Sequence, residues 1–103
     1  MILEVAILNV RSGQETEFEG AFRQAQAIIS AAQGYVSHDL QRCIEKPSQY
    51  ILLVRWDTLE DHTRGFRESP AYAEWKGLLH HFYDPFPTVE HYAAVHPPRS
   101  TST

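Results

Sequence analysis

Hydrophobic and polar residues follow different periods in different parts of this chain, and the periods predict its elements. Residues 2–10 are almost continuously aliphatic and β-branched, which is typical of a strand that is buried on both faces. Apolar side chains then recur every three or four positions, as one face of a helix requires. They are Phe18, Phe22, Ala25, Ile29 and Ala32. We expect a helix over about 13–32, with a capping box from Ser12 to Glu15 and a stop at Gly34.

Two more strands follow, joined by a short polar loop. Residues 35–44 alternate, so that Val36, His38 and Leu40 share one face, which predicts a half-exposed strand. Residues 50–56, "YILLVRW", are apolar almost throughout and predict a second buried strand. Because the loop between them contains a turn-forming proline and serine, we expect an antiparallel hairpin.

The second helical region is split. Thr58 and Asp61 form a variant capping box at its start, but the run "ESPAY" interrupts it. A second segment can begin at Pro70, with Ser69 as its N-cap. The apolar stripe then continues until two prolines end the helix, and residues 88–95 predict a last strand.

The order strand, helix, strand, strand, helix, strand predicts an α+β fold of the ferredoxin-like βαββαβ kind. Such a fold is a four-stranded antiparallel sheet with both helices on one face, and its first and third strands are central. The two most apolar strands of this chain occupy those two places in the order. We expect one domain over residues 1–95, followed by a disordered tail over 96–103 that is rich in Pro, Ser and Thr.

Two helices can cover only one face of such a sheet, yet its central strands are apolar on both. The uncovered face would present Leu3, Val5, Ile7, Ile51 and Leu53 to water. We therefore predict a homodimer in which a second copy of the sheet packs on this face. Partial cover by the C-terminal tail is the alternative interpretation.

Composition and charge narrow the range of partners. The 103 residues carry a net charge of −4, with an isoelectric point near 5.8, which disfavours nucleic acid and anionic membranes. The single cysteine, Cys43, excludes an intrachain disulfide and a thiolate zinc cluster, and it suggests the cytoplasm. Neither a glycine-rich phosphate loop nor a dinucleotide fingerprint occurs, so we expect no nucleotide cofactor.

The most distinctive stretches are the helix entry "RSGQETEF", the strand "QGYVSHDLQR" and the run "LLVRWDTLEDHTRGFRESPAYAEW". Over roughly residues 1–95 the chain resembles the antibiotic biosynthesis monooxygenase domain, of the dimeric α+β barrel superfamily. The resemblance implies two barrels back to back, each with a small pocket between sheet and helices. Some members oxidise quinol-like or polyketide aromatics with dioxygen, without metal or flavin. Others degrade haem or isomerise signalling metabolites, and several have no assigned reaction.

Trp56 matches the tryptophan with which the family ends its third strand, and His62 follows it on the next helix. The resemblance implies that Trp56 is an aromatic wall for a planar substrate; the alternative is a side chain that closes the end of the core. His62 is a candidate general base because imidazole titrates near neutral pH, and the alternative is an exposed helix residue. Many family members carry their histidine further along, where this chain has Gly65 and Phe66.

Glu4 is the second candidate for proton transfer. It shares a strand face with apolar residues, so burial would raise the pKa of its carboxyl group and leave it poised as an acid or base. The alternative is a carboxylate that pairs with an Arg or His, or that lies in water at the sheet end. His38 is either a satisfied core histidine or a donor in the pocket. Phe66 and Tyr72 fit a core stripe as well as the wall of a substrate site.

Haem and metal sites are the less favoured alternatives. The haem-degrading branch has an asparagine and a histidine at positions that fall here on Ala6 and near Trp75 or Lys76. The adjacent His80 and His81 would point about 100° apart on a helix and could not chelate one ion from the same face. Because no HxxxH or HExxH spacing occurs, we expect no metal.

Two hypotheses for the function follow. The first is a cofactor-independent monooxygenase that oxidises a small electron-rich aromatic, quinol-like or polyketide-like, with dioxygen. The second is a non-catalytic dimeric barrel that binds a small hydrophobic ligand. One closed pocket on which His62, Glu4 and Trp56 converge would favour the first hypothesis. A pocket filled by side chains such as Phe66, Trp75 and Phe82 would favour the second.

Overall fold

The computed structural model describes residues 1–96 and has the element order that the hydrophobic pattern predicts. The elements are β1 Ile2–Asn9, α1 Glu15–Ser30, β2 Tyr35–Arg42, β3 Gln49–Trp56, a π-helical segment Asp61–Phe66, α2 Pro70–Leu79, a 3₁₀ turn His80–Phe82 and β4 Val89–Ala93. Within the described residues, the strands form one antiparallel sheet in the order β2-β3-β1-β4, and both helices pack on one of its faces. The predicted ferredoxin-like α+β fold is confirmed, with β1 and β3 in the centre.

The predicted domain, residues 1–95, falls within the described part of the chain. From residue 97 onward the predicted tail lies outside the described residues. Between residues 1 and 96, no helix is both long enough and apolar enough to cross a bilayer.

Antiparallel pairing gives the central strands a fixed register. β1 pairs with β3 along its whole length, beginning with Ile2 opposite Trp56. On its other side β1 pairs with β4, and Glu4 lies directly opposite His91. Because directly opposite residues of neighbouring strands project to the same side of a sheet, the side chains of Glu4 and His91 are neighbours on one face.

The core lies between the helix-side face of the sheet and the apolar stripes of the helices. Alternate residues of β1 and β3 point into it, down to Trp56, which is 0% exposed. Four members of the predicted α1 stripe are buried against them. They are Phe18, Phe22, Ala25 and Ile29. The 3.6-residue and two-residue periods of the sequence therefore meet in one continuous core.

A β-bulge in β2 corrects the predicted faces of that strand. Relative to β3, β2 carries one extra residue between Tyr35 and Ser37. The bulge leaves Val36 45% exposed and brings Tyr35 into hydrogen-bond contact with His38 on the helix side. Simple alternation placed Val36 and His38 on the same inward face, and it was wrong for Val36.

The start of α1 differs from the prediction. The helix spans Glu15–Ser30 rather than 13–32, and the capping box predicted from Ser12 to Glu15 does not form. Instead, the Glu15 carboxylate accepts hydrogen bonds from the Gly13 N–H at 3.1 Å and from the Ser48 hydroxyl. α1 ends at Ser30 with Ala31 as its C-cap, so the predicted stop at Gly34 is not the residue that ends the helix. Gly34, with φ at +80°, lies in the turn that leads into β2.

The second helical region is split as predicted, and one of its two predicted caps forms. Thr58 and Asp61 exchange hydrogen bonds of 3.2 Å from each backbone N–H to the other side chain. Ser69 precedes Pro70 at the start of α2, but its hydroxyl donates to the Phe66 carbonyl instead of capping the helix. The capping pair therefore holds the beginning of the π-helical segment, which carries His62.

Candidate functional site

A cavity of about 390 Å³ lies between the sheet and the second helical region. Its sheet side is apolar and includes Ala6, Leu8 and Leu52. Its walls are largely aromatic and include Phe66, Tyr72, Trp75, Tyr83 and Phe86. Its charged and titratable lining consists, besides tyrosines, of Glu4, His62, Arg67 and His80. An apolar chamber with a few polar groups is the usual form of a small-molecule site.

The structure brings most of the predicted site residues together. Glu4, His62, Phe66 and Tyr72 all line the cavity. Trp56 contacts the first two of these residues from behind, within the core. His38 lies outside this cavity and borders a separate groove between α1 and β2.

Glu4 provides the buried carboxyl group of the site. β1 directs it to the helix side, as alternation predicted, and it is 6% exposed. Its Oε1 accepts a hydrogen bond of 2.9 Å from the Trp56 indole N–H and lies 3.4 Å from His62 Nε2. Burial raises the pKa of Glu4, and the Trp56 hydrogen bond and the Arg67 charge oppose this rise in part. The carboxyl group is therefore a stronger base than one in water.

His62 is a buried imidazole with a partner on each ring nitrogen. It is 4% exposed and stacks on Trp56 with a centroid distance of 5.4 Å and an interplanar angle of 23°. Its Nδ1 lies 2.7 Å from His91 Nε2, and its Nε2 faces Glu4. Burial, together with the charges of Arg67 and His91, lowers the pKa of His62 to about 3. The ring is therefore neutral near pH 7, and neither of its nitrogens is free to bind a substrate proton on its own.

Trp56 supports the site from the core side. It lies between the His62 ring and Tyr35, whose ring meets it edge-on with a centroid distance of 6.3 Å and an angle of 87°. Its indole N–H is directed at Glu4. Its position matches the interpretation in which Trp56 closes the end of the core. Phe66, which packs on Trp56, lines the cavity instead.

His38 belongs to a different hydrogen-bonded group. Its Nε2 lies 2.9 Å from Gln26 Oε1 on α1, and its Nδ1 bonds the Tyr35 hydroxyl. Burial lowers the pKa of His38, so this imidazole too favours its neutral form. These contacts match the alternative in which His38 is a core histidine with a hydrogen-bond partner on each ring nitrogen.

Arg67 and His91 are the site residues that sequence reasoning missed. Arg67 follows the π-helical segment and lines the cavity, and its charge lowers the pKa values of Glu4, His62 and His91. The alternation of residues 88–95 could have assigned His91 to a strand face. Its contact with His62, however, depends on the pairing of β4 with β1, which no local pattern reveals.

The cavity is lined rather than filled by its aromatic residues. Phe66 and Trp75 form an edge-to-face pair in the wall, with centroids 5.8 Å apart. Phe82 packs on Phe18 in the core, with a centroid distance of 5.7 Å. In the part of the chain that the structure describes, no group of three or more His, Cys, Asp or Glu side chains is arranged to hold a metal ion.

Comparison with known proteins gives consistent matches. The model of a family described as antibiotic biosynthesis monooxygenase matches residues 1–78. The uncharacterised protein YczJ of Bacillus subtilis (strain 168) is 58% identical over 95 residues, which cover 92% of this chain and 100% of YczJ.

Solved structures agree with this match. A protein of Bordetella bronchiseptica, provisionally described as an antibiotic biosynthesis monooxygenase, is 35% identical with a TM-score of 0.87, over 91% of this chain and 96% of that chain. SnoaB of Streptomyces nogalater, a cofactor-independent oxygenase, has a TM-score of 0.73 at 21% identity, over 99% of this chain and 97% of that chain. At that level of identity the likeness to SnoaB concerns the fold alone.

Proposed function

Because this chain belongs to the antibiotic biosynthesis monooxygenase family, we propose that it is a cofactor-independent monooxygenase that oxidises a small electron-rich aromatic with dioxygen. The substrate is quinol-like or polyketide-like and binds in the cavity between sheet and helices. The observation that carries this proposal is the buried Glu4 carboxyl group in the lining of an aromatic-walled cavity.

The size and lining of the cavity suit such a substrate. A volume of about 390 Å³ is within the usual range of small-ligand pockets, about 300–1,000 Å³. Aromatic walls favour a planar ring system because stacked and edge-on ring contacts add to the gain from burial. Phe66, Trp75 and Tyr72 would contact the faces and edges of the substrate rings.

Glu4 would begin the reaction by removing the proton of a ring hydroxyl group. The resulting anion is rich enough in electrons to reduce dioxygen, and a C–O bond then forms at a ring carbon that carries hydrogen. Glu4 then gives a proton to the peroxide oxygen. Loss of the C–H proton and cleavage of the O–O bond then yield a carbonyl group and water. One oxygen atom enters the product and the other leaves as water. The substrate loses two hydrogens as protons and supplies all the electrons that reduce dioxygen, so the substrate itself is the reductant.

Arg67 and the apolar walls would assist this chemistry. The anionic form of the substrate is stabilised by a positive charge, and Arg67 supplies one at the cavity. Its electrostatic effect on Glu4 and His62 indicates that its charge acts on the same place where the substrate anion forms. The apolar lining limits the water that would compete for the anion.

Oxygen uptake tests the proposal. Purified protein is given a panel of quinols and naphthols in an oxygen-electrode cell, and wild type is compared with Glu4→Gln. The control is Glu17→Gln, the same change at an exposed position on α1. We expect uptake with at least one compound, lost about 100-fold or more in Glu4→Gln and retained in the control. Absence of uptake from every compound would refute the proposal, and binding without uptake would support the non-catalytic barrel.

We also propose that a second copy of this chain covers the outer face of the sheet. On that face Val5 lies opposite Leu53 and Ile7 opposite Ile51, and Leu3 comes next along β1. Ile7 is 39% exposed, and the other four are partly exposed. Apolar side chains of this kind can pack against their own copies about a twofold axis, which would remove them from water.

Sedimentation equilibrium tests the dimer. We expect wild type at twice the chain mass of 11.8 kDa, and Leu53→Lys at 11.8 kDa because the lysine places an unpaired charge in the interface. Leu59→Lys, at a 39% exposed leucine on another surface, should remain dimeric. A compact wild-type protein of 11.8 kDa at micromolar concentration would contradict the proposal.

A further inference from the structure

Three ionisable side chains lie in contact in a row that runs from the cavity to the edge of the sheet. Glu4 lines the cavity on β1, and His91 lies opposite it on the edge strand β4. His62 reaches both residues from the π-helical segment, with Nε2 3.4 Å from Glu4 Oε1 and Nδ1 2.7 Å from His91 Nε2. Glu4 and His62 are buried, whereas His91 is half-buried at the sheet edge.

When Glu4 is ionised, the polar contacts among these three side chains can have only one donor-to-acceptor direction. A carboxylate only accepts hydrogen bonds, so His62 must carry its proton on Nε2, which faces Glu4. A neutral His62 then accepts on Nδ1, and His91 must donate from its Nε2. Both rings are neutral in this arrangement, and every contact pairs one donor with one acceptor.

When Glu4 is protonated, the same contacts can have the opposite donor-to-acceptor direction. Glu4 donates to His62 Nε2, His62 donates from Nδ1 to His91 Nε2, and His91 carries its remaining proton on Nδ1. Both rings are again neutral. The second arrangement holds one proton more than the first. To convert the first into the second, His91 takes a proton from water on Nδ1 and passes its Nε2 proton to His62 Nδ1, and His62 passes its Nε2 proton to Glu4.

We propose that Glu4, His62 and His91 form a proton relay, in which His91 exchanges with water at the sheet edge the proton that Glu4 exchanges with the substrate. The relay rests on the proposed function, because that function gives the Glu4 proton its use. His62 is a positioning residue in this scheme, since it acts through Glu4, and His91 is the outlet.

The surroundings favour a relay over a histidine that stores the proton. Arg67 is the charged group that acts on all three members, and with burial it disfavours an imidazolium at His62 or His91. A proton from Glu4 is therefore passed on rather than held. The contact of 3.4 Å between Glu4 and His62 must shorten by about half an ångström for transfer, as catalytic contacts commonly do when a ligand binds. An aromatic ligand in the cavity would also separate Glu4 from cavity water, which leaves the relay as its route to solvent.

Nitrogen NMR of ¹⁵N-histidine-labelled protein tests the relay without turnover. The sequence has six histidines, and the variants His62→Gln and His91→Gln identify the two signals of interest. As pH is lowered through the titration of Glu4, followed by its side-chain ¹³C shift, we expect both rings to change from the Nε2–H to the Nδ1–H tautomer together. Neither ring should become imidazolium in that step.

Two variants serve as controls for this experiment. Glu4→Gln should abolish the joint change of tautomer, because the titrating group is gone. His81→Gln changes an exposed imidazole that is not part of the relay, and it should leave the joint change of tautomer intact. The relay is refuted if His62 keeps its tautomer while Glu4 titrates, or if it becomes imidazolium in that step. Because no substrate is involved, this result stands whether or not the protein consumes oxygen.

Where oxygen uptake occurs, kinetics provide a second measurement. Glutamine at position 91 can hydrogen-bond His62 but cannot pass a proton on. We therefore expect His91→Gln to lower kcat about tenfold or more with little change in KM. An unchanged kcat in His91→Gln would contradict the role of His91 as outlet.

Discussion

Two histidines on the helix side of the sheet, His38 and His62, have similar surroundings and different connections. His62 is buried and His38 is half-buried, each contacts a polar partner with both ring nitrogens, and burial lowers the pKa of each. The His38 group ends on the Gln26 amide and the Tyr35 hydroxyl. The His62 group includes Glu4 in the cavity lining.

This difference teaches that a histidine with polar partners on both ring nitrogens and a lowered pKa is not by itself evidence of a catalytic site. The partners of His38 are an amide and a phenol hydroxyl group. Because an amide does not titrate near neutral pH, Gln26 cannot exchange protons with His38 as a carboxyl group could. The carboxyl group of Glu4 titrates, and its pKa is raised by burial. Trp56 and Tyr35 meet edge-on between the two histidines, so the two groups share a boundary.

The largest expected effect concerns that boundary. Trp56→Ala should lower the free energy of unfolding by about 3–5 kcal/mol, because it leaves a large cavity and removes the donor to buried Glu4. Tyr35→Ala should cost about half as much, since Tyr35 is only half-buried. Urea titrations measure both values, and equal losses would contradict the central position assigned to Trp56.

Oxygen uptake should separate the two histidines next. His62→Phe should lower kcat about 100-fold, because it disconnects Glu4 from His91 and removes the polar partner of the carboxyl group. His38→Phe should change kcat less than about threefold, because His38 lies outside the cavity. A comparable loss in both variants would show that the His38 group also takes part in the reaction.

The pH dependence of stability provides a third comparison. His62 stays neutral in the folded protein down to about pH 3, whereas in the unfolded chain it binds a proton below about pH 6.5. The stability that this shift contributes is therefore present above pH 6.5 and is lost as pH falls towards 3. Glu4 acts in the opposite sense, since its raised pKa makes the folded protein lose stability as pH rises above 4.5.

Urea titrations at several pH values measure these slopes. One histidine contributes at most about 1.4 kcal/mol per pH unit. We expect His62→Phe to remove more of the acid-side slope than His38→Phe does. Glu4→Gln should become more stable relative to wild type as pH rises from 4.5 to 7, since glutamine carries no charge to bury. A constant difference between that variant and wild type would mean that Glu4 is not desolvated.

The sequence predicts one half of this comparison better than the other. Strand alternation is enough to direct Glu4 into the core, and the resemblance at "LLVRWDTLEDH" is enough to place Trp56 at the end of the third strand. His62 was a candidate because of its chemistry, since many family members carry their histidine further along the helix. The bulge at Val36 was not predictable, because one extra residue reverses the faces of a strand without changing its composition. Nor was the contact of His91 with His62, since it depends on pairing between the two ends of the chain.

The smallest expected effect comes from placing a carboxyl group beside His38, as Glu4 lies beside His62. Gln26→Glu would place a carboxylate about 2.9 Å from His38 Nε2, in the position of the present amide oxygen. An opposite charge so close favours the imidazolium, so the pKa of His38 should rise by about one unit in an NMR titration. Gln24→Glu, which adds the same charge at an exposed position on α1, should leave it nearly unchanged. Because His38 borders a shallow groove rather than the aromatic cavity, Gln26→Glu should not alter oxygen uptake, and a pKa that stays constant would mean that Gln26 does not contact His38 in solution.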